Sequence, residues 1–264
     1  MNDGTAPAQG GRPGGDAELN ALGPFFTVAR HDPADPPTGT WRPASDIAHD
    51  PAVLDERVFA VREFLAAGSG LPAERIEVRV AASVAHLGMA ARLTSPLLAT
   101  AVLHGHVPRL TLGDLRRQDT LGGAFPLSLP QARGSHVPGT ATDVAAVLLD
   151  GVAAPLAGAF GRFGVSDHIL RGNTASALAG AGRMLVGAGA AAGAGPGGHG
   201  GTRDVRALVE GLLRHPFLNG AGAYDRGTAF RRRSCCLIYR AAPDRNGALC
   251  GDCALHRPAA RTPS

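Results

Sequence analysis

The first clear pattern of apolar and polar positions begins at Asp50-Pro51. Aspartate caps free backbone N–H groups at a helix start, and proline fits the first helical turn. Apolar side chains then recur on one helical face, at Leu54, Val58, Val61 and Leu65. Glycines at positions 68 and 70 end the pattern. The spacing therefore predicts a helix over residues 51–68.

Four further stretches have helical character. Residues 76–104 are rich in Ala and Leu, and Ser95-Pro96 marks a fresh helix start, which predicts two packed helices. Residues 142–160 carry apolar side chains every four positions, with a kink predicted at Pro155. A helix after Ser166 has small residues at Gly172, Ser176 and Gly180, and a shorter helix begins at Thr202.

Strand patterns are confined to a short region. Residues 109–112 and 125–129 place leucine or phenylalanine at every second position, on either side of a loop around residues 122–123. The fold class predicted is α+β and mostly helical, with helices around a small antiparallel sheet near residues 109–130.

The chain divides into three parts by composition. Residues 1–40 are mostly Gly, Pro, Asp and Thr without periodicity, which predicts a largely disordered tail. Residues 41–222 form the helical α+β domain, and residues 223–264 form a C-terminal segment that contains every cysteine. The Gly/Ala run at 187–201 is typical of a linker or surface loop.

Charge and hydropathy limit the classes of function. A net charge of +4 over 264 residues is too dilute for a nucleic-acid-binding face. The N-terminus has no apolar signal region, and two candidate membrane spans are interrupted, residues 142–160 by Asp150 and Pro155 and residues 174–196 by Arg183. We therefore expect a soluble, cytoplasmic protein without a transmembrane segment, whose thiols meet a reducing environment.

The four cysteines lie within the last thirty residues, in the pattern Cys235-Cys236-x13-Cys250-x2-Cys253. Four thiolates select zinc or an iron–sulfur cluster, and a reducing compartment disfavours disulfides. Zinc sites usually draw each ligand pair from a Cys-x2-4-Cys turn, which adjacent cysteines do not provide. Neighbouring side chains in an extended segment point to opposite faces, so Cys235 and Cys236 reach different atoms of a cluster more easily than one ion. The ligand chemistry alone leaves zinc and iron–sulfur both open.

The run RRRSCCLIYR…LCGDCALH resembles the C-terminal motif of the FhuF-like ferric siderophore reductases. In that family a Cys-Cys pair and a later Cys-x2-Cys hold a [2Fe-2S] cluster. Gly172-Asn173-x-x-Ser176 resembles the family's Gly-Asn-x-x-Ser helix, and the likeness covers roughly residues 76–256. The family commonly has a shorter gap between its cysteine pairs, so the run AAPDRNGA is interpreted as a loop insertion. Arg171 stands where the family would have an aromatic residue.

The resemblance implies a cytoplasmic [2Fe-2S] oxidoreductase, or one at the periphery of the inner membrane, that reduces ferric siderophores to release Fe(II). Cys235, Cys236, Cys250 and Cys253 would be the cluster ligands, with no further catalytic residues. The sequence shows no Gly-rich nucleotide fingerprint after a strand, so electrons would come from a partner, either a reductase or a reduced flavin or thiol. No nucleic acid is expected as a partner.

Two other functions use the same four thiols. One is a non-catalytic zinc-stabilised binding protein, and the other is an iron–sulfur sensor, which no DNA-binding helix or basic face supports. Arg231, Arg232, Arg233 and Arg240 would raise the potential of a nearby cluster, whereas a solvated basic strip is the commoner arrangement for such residues. The apolar residues 237–239 fit either a shell around the cluster or a buried strand.

Overall fold

In the computed structural model of this chain, the residues described are 15–121, 124–131, 135–191, 202–225 and 229–256. The helices are α1 (Gly15–Ala21), α2 (Asp46–His49), α3 (Pro51–Ser69), α4 (Val78–His104), α5 (Ala141–Ala145), α6 (Ala154–Phe160), α7 (Asp167–Ala191) and α8 (Thr202–Leu213). The strands are β1 (Ala29–His31), β2 (Trp41–Pro43), β3 (His106–Pro108), β4 (Arg116–Gln118), β5 (Leu127–Pro130), β6 (His136–Pro138), β7 (Gly222–Tyr224) and β8 (Phe230–Arg232).

The centre of the molecule is the packing of α4 along α7. α3 lies against α4, and α8 lies against α7, so the two central helices are covered on both sides. Small residues such as Ala85 and Ala90 of α4 and Ala175 of α7 are buried in the core. The mostly helical α+β class predicted from the sequence is confirmed.

Three small sheets surround the helices. Strands β1, β5, β4 and β2 form the largest in that order, with β1 parallel to β5 and the other neighbours antiparallel. Strands β3 and β6 pair in one two-stranded ladder, and β7 and β8 pair in another. The strand predicted at residues 125–129 corresponds to β5.

The strand predicted at residues 109–112 is wrong. Thr111 and Asp114 form a reciprocal capping box around a single 3-10 turn, Leu112–Asp114. The turn satisfies the local backbone donors that a strand would have paired with a neighbour. Leu110 and Leu112 are nevertheless buried, so their alternation reflects burial and not a strand. The loop predicted around residues 122–123 lies outside the described residues.

Helix α3 confirms the prediction made from Asp50 and the following glycines. The Asp50 side chain accepts a hydrogen bond from the Ala52 backbone N–H at 2.9 Å, and Gly70 ends the helix in the left-handed conformation.

The two helices predicted for residues 76–104 are instead one, α4, with Pro96 inside it. The Thr94 and Ser95 hydroxyls donate to carbonyls four residues earlier, and burial of the segment holds the helix together across the proline.

The helix predicted over residues 142–160 is interrupted close to Pro155. Between α5 and α6 the chain forms π-helical turns, Ala146–Ala153, and Pro155 lies in the first turn of α6. Among the described residues, Ala141–Phe163 is the one helical stretch with the length and apolar composition to span a membrane, at a mean hydropathy of 1.7. Of its most apolar window, 56% is buried inside the protein, and core helices of soluble proteins pass the same test.

The disordered tail predicted for residues 1–40 is too long. Residues 1–14 lie outside the described residues, but α1 and β1 are ordered, with Leu19, Phe26 and Val28 in the core.

Arg92 of α4 holds this N-terminal segment in place. Its guanidinium donates to the carbonyls of Phe125 at 2.7 Å, Phe25 at 3.0 Å and Thr27 at 2.5 Å. Burial lowers the pKa of Arg92 to about 10, so it remains charged at neutral pH.

An Arg92→Met substitution is expected to destabilise the protein by about 3 kcal/mol or more, because a buried guanidinium and its hydrogen bonds to three backbone carbonyls are lost. The matched control is Arg79→Met at the exposed start of the same helix, where one surface ion pair with Glu77 is lost and the effect stays below about 1 kcal/mol. Urea unfolding of both variants measures the difference. Equal losses would show that the Arg92 hydrogen bonds do not anchor the N-terminal segment.

Candidate metal centre

The cysteine-bearing segment begins directly after β8. The Arg232 backbone N–H donates to the Asp252 carbonyl at 3.1 Å, which places the Cys250–Cys253 turn against the end of the strand. Within that turn the Cys253 N–H donates to the Cys250 carbonyl at 3.1 Å. The run AAPDRNGA between the cysteine pairs folds back as a loop, with the Gly247 N–H donating to Tyr239 at 2.9 Å. The loop therefore lets the two ends of the motif converge.

The four sulfur atoms converge as two pairs. Cys236 Sγ lies 3.5 Å from Cys250 Sγ, and Cys235 Sγ lies 3.6 Å from Cys253 Sγ. Two thiolates on one tetrahedral metal, with metal–sulfur bonds of about 2.3 Å, stand about 3.8 Å apart. All four cysteines are free thiols. Each pair is therefore spaced like two ligands of one metal atom.

The adjacent cysteines belong to different pairs. Leu237 adopts the left-handed conformation, with φ of 69°, immediately after them. Its N–H donates to Cys235 Sγ at 3.3 Å, and the Leu255 N–H donates to Cys253 Sγ at 3.5 Å. Backbone donors to sulfur are a recurring part of iron–sulfur sites, where they stabilise the thiolate.

In the described part of the chain, no three His, Cys, Asp or Glu side chains converge as one metal ion requires.

The Cys236 and Cys250 thiols are hydrogen-bonded to each other. The hydrogen bond with Cys250 lowers the pKa of Cys236 to about 7 against the opposing effect of burial, and the Ile238 N–H adds to the lowering. The same hydrogen bond and burial raise the pKa of Cys250. Burial raises the pKa of Cys235 in the other pair. These opposite directions favour the thiolate, the form that binds metal, at Cys236 over Cys250.

A buried polar network connects the site to the central helices. The Ser83 hydroxyl of α4 donates to the Cys236 carbonyl at 2.9 Å, and Asn173 of α7 donates to the Ser83 carbonyl at 2.9 Å. Arg232 in turn donates to the Asn173 side-chain oxygen. Asn173 thus reaches the cysteine segment through Ser83 and not by a bond to a ligand. Ser83 carries no signal in the sequence, because it is one small residue on an Ala-rich helix.

Two other residues of the Gly-Asn-x-x-Ser motif touch the segment directly. Ser176 donates to the Asp252 carboxylate within the second cysteine turn. Gly172 faces Ser234, and a Cβ atom at this position would overlap the Ser234 hydroxyl and come within 3.2 Å of Arg232 Nη2. All three residues of the motif therefore help to hold the cysteine segment against α7. Arg171, the departure from the family pattern, instead forms an i,i+4 ion pair with Asp167 at 3.8 Å.

Residues 237–239 do not form the alternative buried strand. The chain makes a 3-10 turn at Ile238–Ala241, and Leu237 packs on a small apolar cluster formed by Ala66, Ile76, Val80 and Ala241. This cluster attaches the far side of the cysteine segment to α3 and to the start of α4. Arg240 forms an ion pair with Glu77 at 2.6 Å, so the charge of its guanidinium is paired with a carboxylate at the start of α4.

A search against models of known protein families finds no match to this chain, and a search of curated proteins finds no significant match. The arrangement of the site is consequently the main source of functional inference.

A Gly172→Ala substitution is expected to loosen the cysteine segment, because the added methyl group displaces Ser234 and Arg232. The matched control is Gly180→Ala on the same helix, where a Cβ meets no atom within 4 Å and alanine favours the helix. Thermal unfolding and the rate of thiol modification by a disulfide reagent measure both effects. Gly172→Ala should lower the unfolding temperature and speed modification, whereas Gly180→Ala should do neither. Identical behaviour of the two variants would contradict the close packing.

Proposed function

We propose that this protein binds a [2Fe-2S] cluster through Cys235, Cys236, Cys250 and Cys253, and uses it to reduce the ferric iron of siderophores. The observation that carries the proposal is the division of the four sulfur atoms into two pairs at metal-ligand spacing. A dinuclear cluster needs two thiolates on each of two irons. A single zinc ion needs all four around one centre.

The two adjacent cysteines belong to different sulfur pairs, and this arrangement also supports a [2Fe-2S] cluster. Cys235 pairs with Cys253, and Cys236 pairs with Cys250, so each half of the motif contributes one sulfur to each pair. The backbone N–H donors at Leu237 and Leu255 supply the hydrogen bonds to sulfur that such clusters use. The donor set is all soft thiolate, which fits iron–sulfur chemistry.

The burial of the sulfurs fits transfer of electrons to an outside acceptor. Cys236 and Cys253 are almost completely buried, whereas Cys235 and Cys250 are partly exposed. Each pair therefore joins one buried cysteine to one partly exposed cysteine. The buried side limits access of water, and the exposed side allows a substrate to approach.

The chemistry required is the transfer of one electron. A bound [2Fe-2S] cluster accepts and donates single electrons. The substrate Fe(III) in a siderophore takes up one electron and becomes Fe(II), which its hard oxygen donors bind much more weakly. For each iron released, one electron enters the protein from a reduced flavin, thiol or reductase partner. The resemblance to the FhuF-like reductases supplies the substrate class, and the chain's own residues supply the thiolate site.

Metal analysis separates this proposal from its alternative. Protein purified without oxygen should contain about two irons and two acid-labile sulfides per chain, and should give a paramagnetic signal after one-electron reduction. One zinc per chain, without sulfide, would instead identify the non-catalytic zinc-stabilised protein.

A Cys253→Ser variant is expected to lose the cluster, because it removes one thiolate of the Cys235 pair, and to lose reduction of a ferric hydroxamate. Asn246→Ser in the exposed loop between the cysteine pairs is the matched control and should keep both. Iron content and the rate of Fe(II) release to a colorimetric chelator are the two measurements. Undiminished reduction by Cys253→Ser would remove the cluster from the mechanism.

A further inference from the structure

Arg232 is a buried cation that forms no ion pair with the residues the structure describes. Its side chain is 2% exposed, although Arg231 and Arg233 on either side are exposed. In the part of the chain that the structure describes, its guanidinium donates from Nη2 to the Asn173 side-chain oxygen and, at 3.5 Å, to the Ile169 carbonyl. Nε and Nη1 are buried and have no acceptor among the described residues.

The groups packed around Arg232 do not neutralise it. Asn173 and Ile169 of α7 offer only neutral oxygens. His86 of α4 is fully buried, and burial together with the nearby Arg232 charge lowers its pKa to about 3, so it is a neutral ring. The Asp252 carboxylate accepts a hydrogen bond from the Ser176 hydroxyl. Asp252 binds Arg232 only through the backbone, where its carbonyl accepts from the Arg232 N–H.

Leaving a guanidinium unpaired inside a protein is energetically costly. The cysteine segment lies beside this buried charge. The Arg232 backbone bond to Asp252 sets it beside the second cysteine turn. Asn173, which binds the Arg232 guanidinium, also donates to the Ser83 carbonyl, and the Ser83 hydroxyl donates to the Cys236 carbonyl.

We propose that Arg232 is the fixed counter-charge of the cluster held by the four cysteines, and that it raises the reduction potential of that cluster. This inference rests on the proposed function. Four thiolates give the cluster a net negative charge, and reduction adds one more. A cation fixed in a low-dielectric interior stabilises the more negative, reduced state to a greater extent than the oxidised state.

Two features of the surroundings suit Arg232 to this role. Asn173 holds Nη2, which fixes the orientation of the guanidinium and leaves Nε and Nη1 free to donate to sulfur. Gly172 gives the guanidinium room beside α7, because a Cβ there would come within 3.2 Å of Nη2. Arg232 is thus a residue that adjusts the potential without touching the substrate.

The test is a redox titration, followed by electron paramagnetic resonance, of the full chain purified with its cluster. The variants are Arg232→Gln and Arg232→Lys, and the matched controls are Arg231→Gln and Arg233→Gln, which remove the same charge from neighbouring exposed positions. Iron and sulfide content is measured first for every protein. Arg232→Gln should shift the reduction equilibrium at least tenfold toward the oxidised state, which is about 59 mV for a one-electron couple. The two controls should shift it less than about threefold, because solvent screens their charges.

The outcomes separate the two levels of inference. A wild-type chain that holds zinc, or no sulfide, defeats the proposed function and this inference with it. A wild-type cluster whose potential is unchanged in Arg232→Gln overturns the role of Arg232 alone. If Arg232→Gln assembles no cluster, Arg232→Lys decides. A cluster with nearly wild-type potential in the lysine variant supports the need for a positive charge, and failure to assemble with lysine overturns it.

Discussion

The close contact of α7 with the chain that leads into the cysteines determines the geometry of the candidate centre. Gly172 has no side chain, so Ser234 and Arg232 lie directly against the helix. Ser83 on α4 then binds the Cys236 carbonyl, so two central helices define where the first cysteine pair begins. The cysteine turns contain no regular helix or strand of their own. Their positions therefore depend on this contact, on the β7 and β8 ladder, and on the small apolar cluster beneath Leu237.

Local signals predicted much of the helical framework correctly. Asp50-Pro51 and Gly70 define α3, because capping is a property of a few adjacent residues. Predictions failed where tertiary contacts outweighed a local preference. Pro96 interrupts hydrogen bonding but not α4, since the helix is buried on most sides. Residues 109–112 alternate like a strand, yet a capping box closes them into a turn.

The sequence predicted which residues form the candidate centre, but not which cysteine lies next to which. Clustering of all four cysteines near the C-terminus singled them out as candidate ligands, and the adjacency of Cys235 and Cys236 favoured different sulfur partners for the two. Which later cysteine each one meets depends on the path of the intervening chain. The left-handed turn at Leu237 and the 3-10 turn after it set that path, and neither has a distinctive sequence pattern. Ser83 was missed because its contact spans 153 residues of sequence.

The three consecutive arginines show how secondary structure assigns different roles to identical residues. β8 ends at Arg232, and side chains along an extended segment alternate between its two faces, so Arg232 points inward while Arg231 and Arg233 face solvent. Interpreting the run as a solvated basic strip is correct for the outer two and wrong for the middle one. The distinction matters for the proposed electron transfer because salt screens the field of an exposed charge over a distance of about 10 Å, whereas a buried charge is screened much less. The outer arginines can attract an anionic partner at a strength that varies with ionic conditions. Under the proposed function, salt screens the inner arginine least, so its effect on a bound cluster depends on the fold more than on the solution.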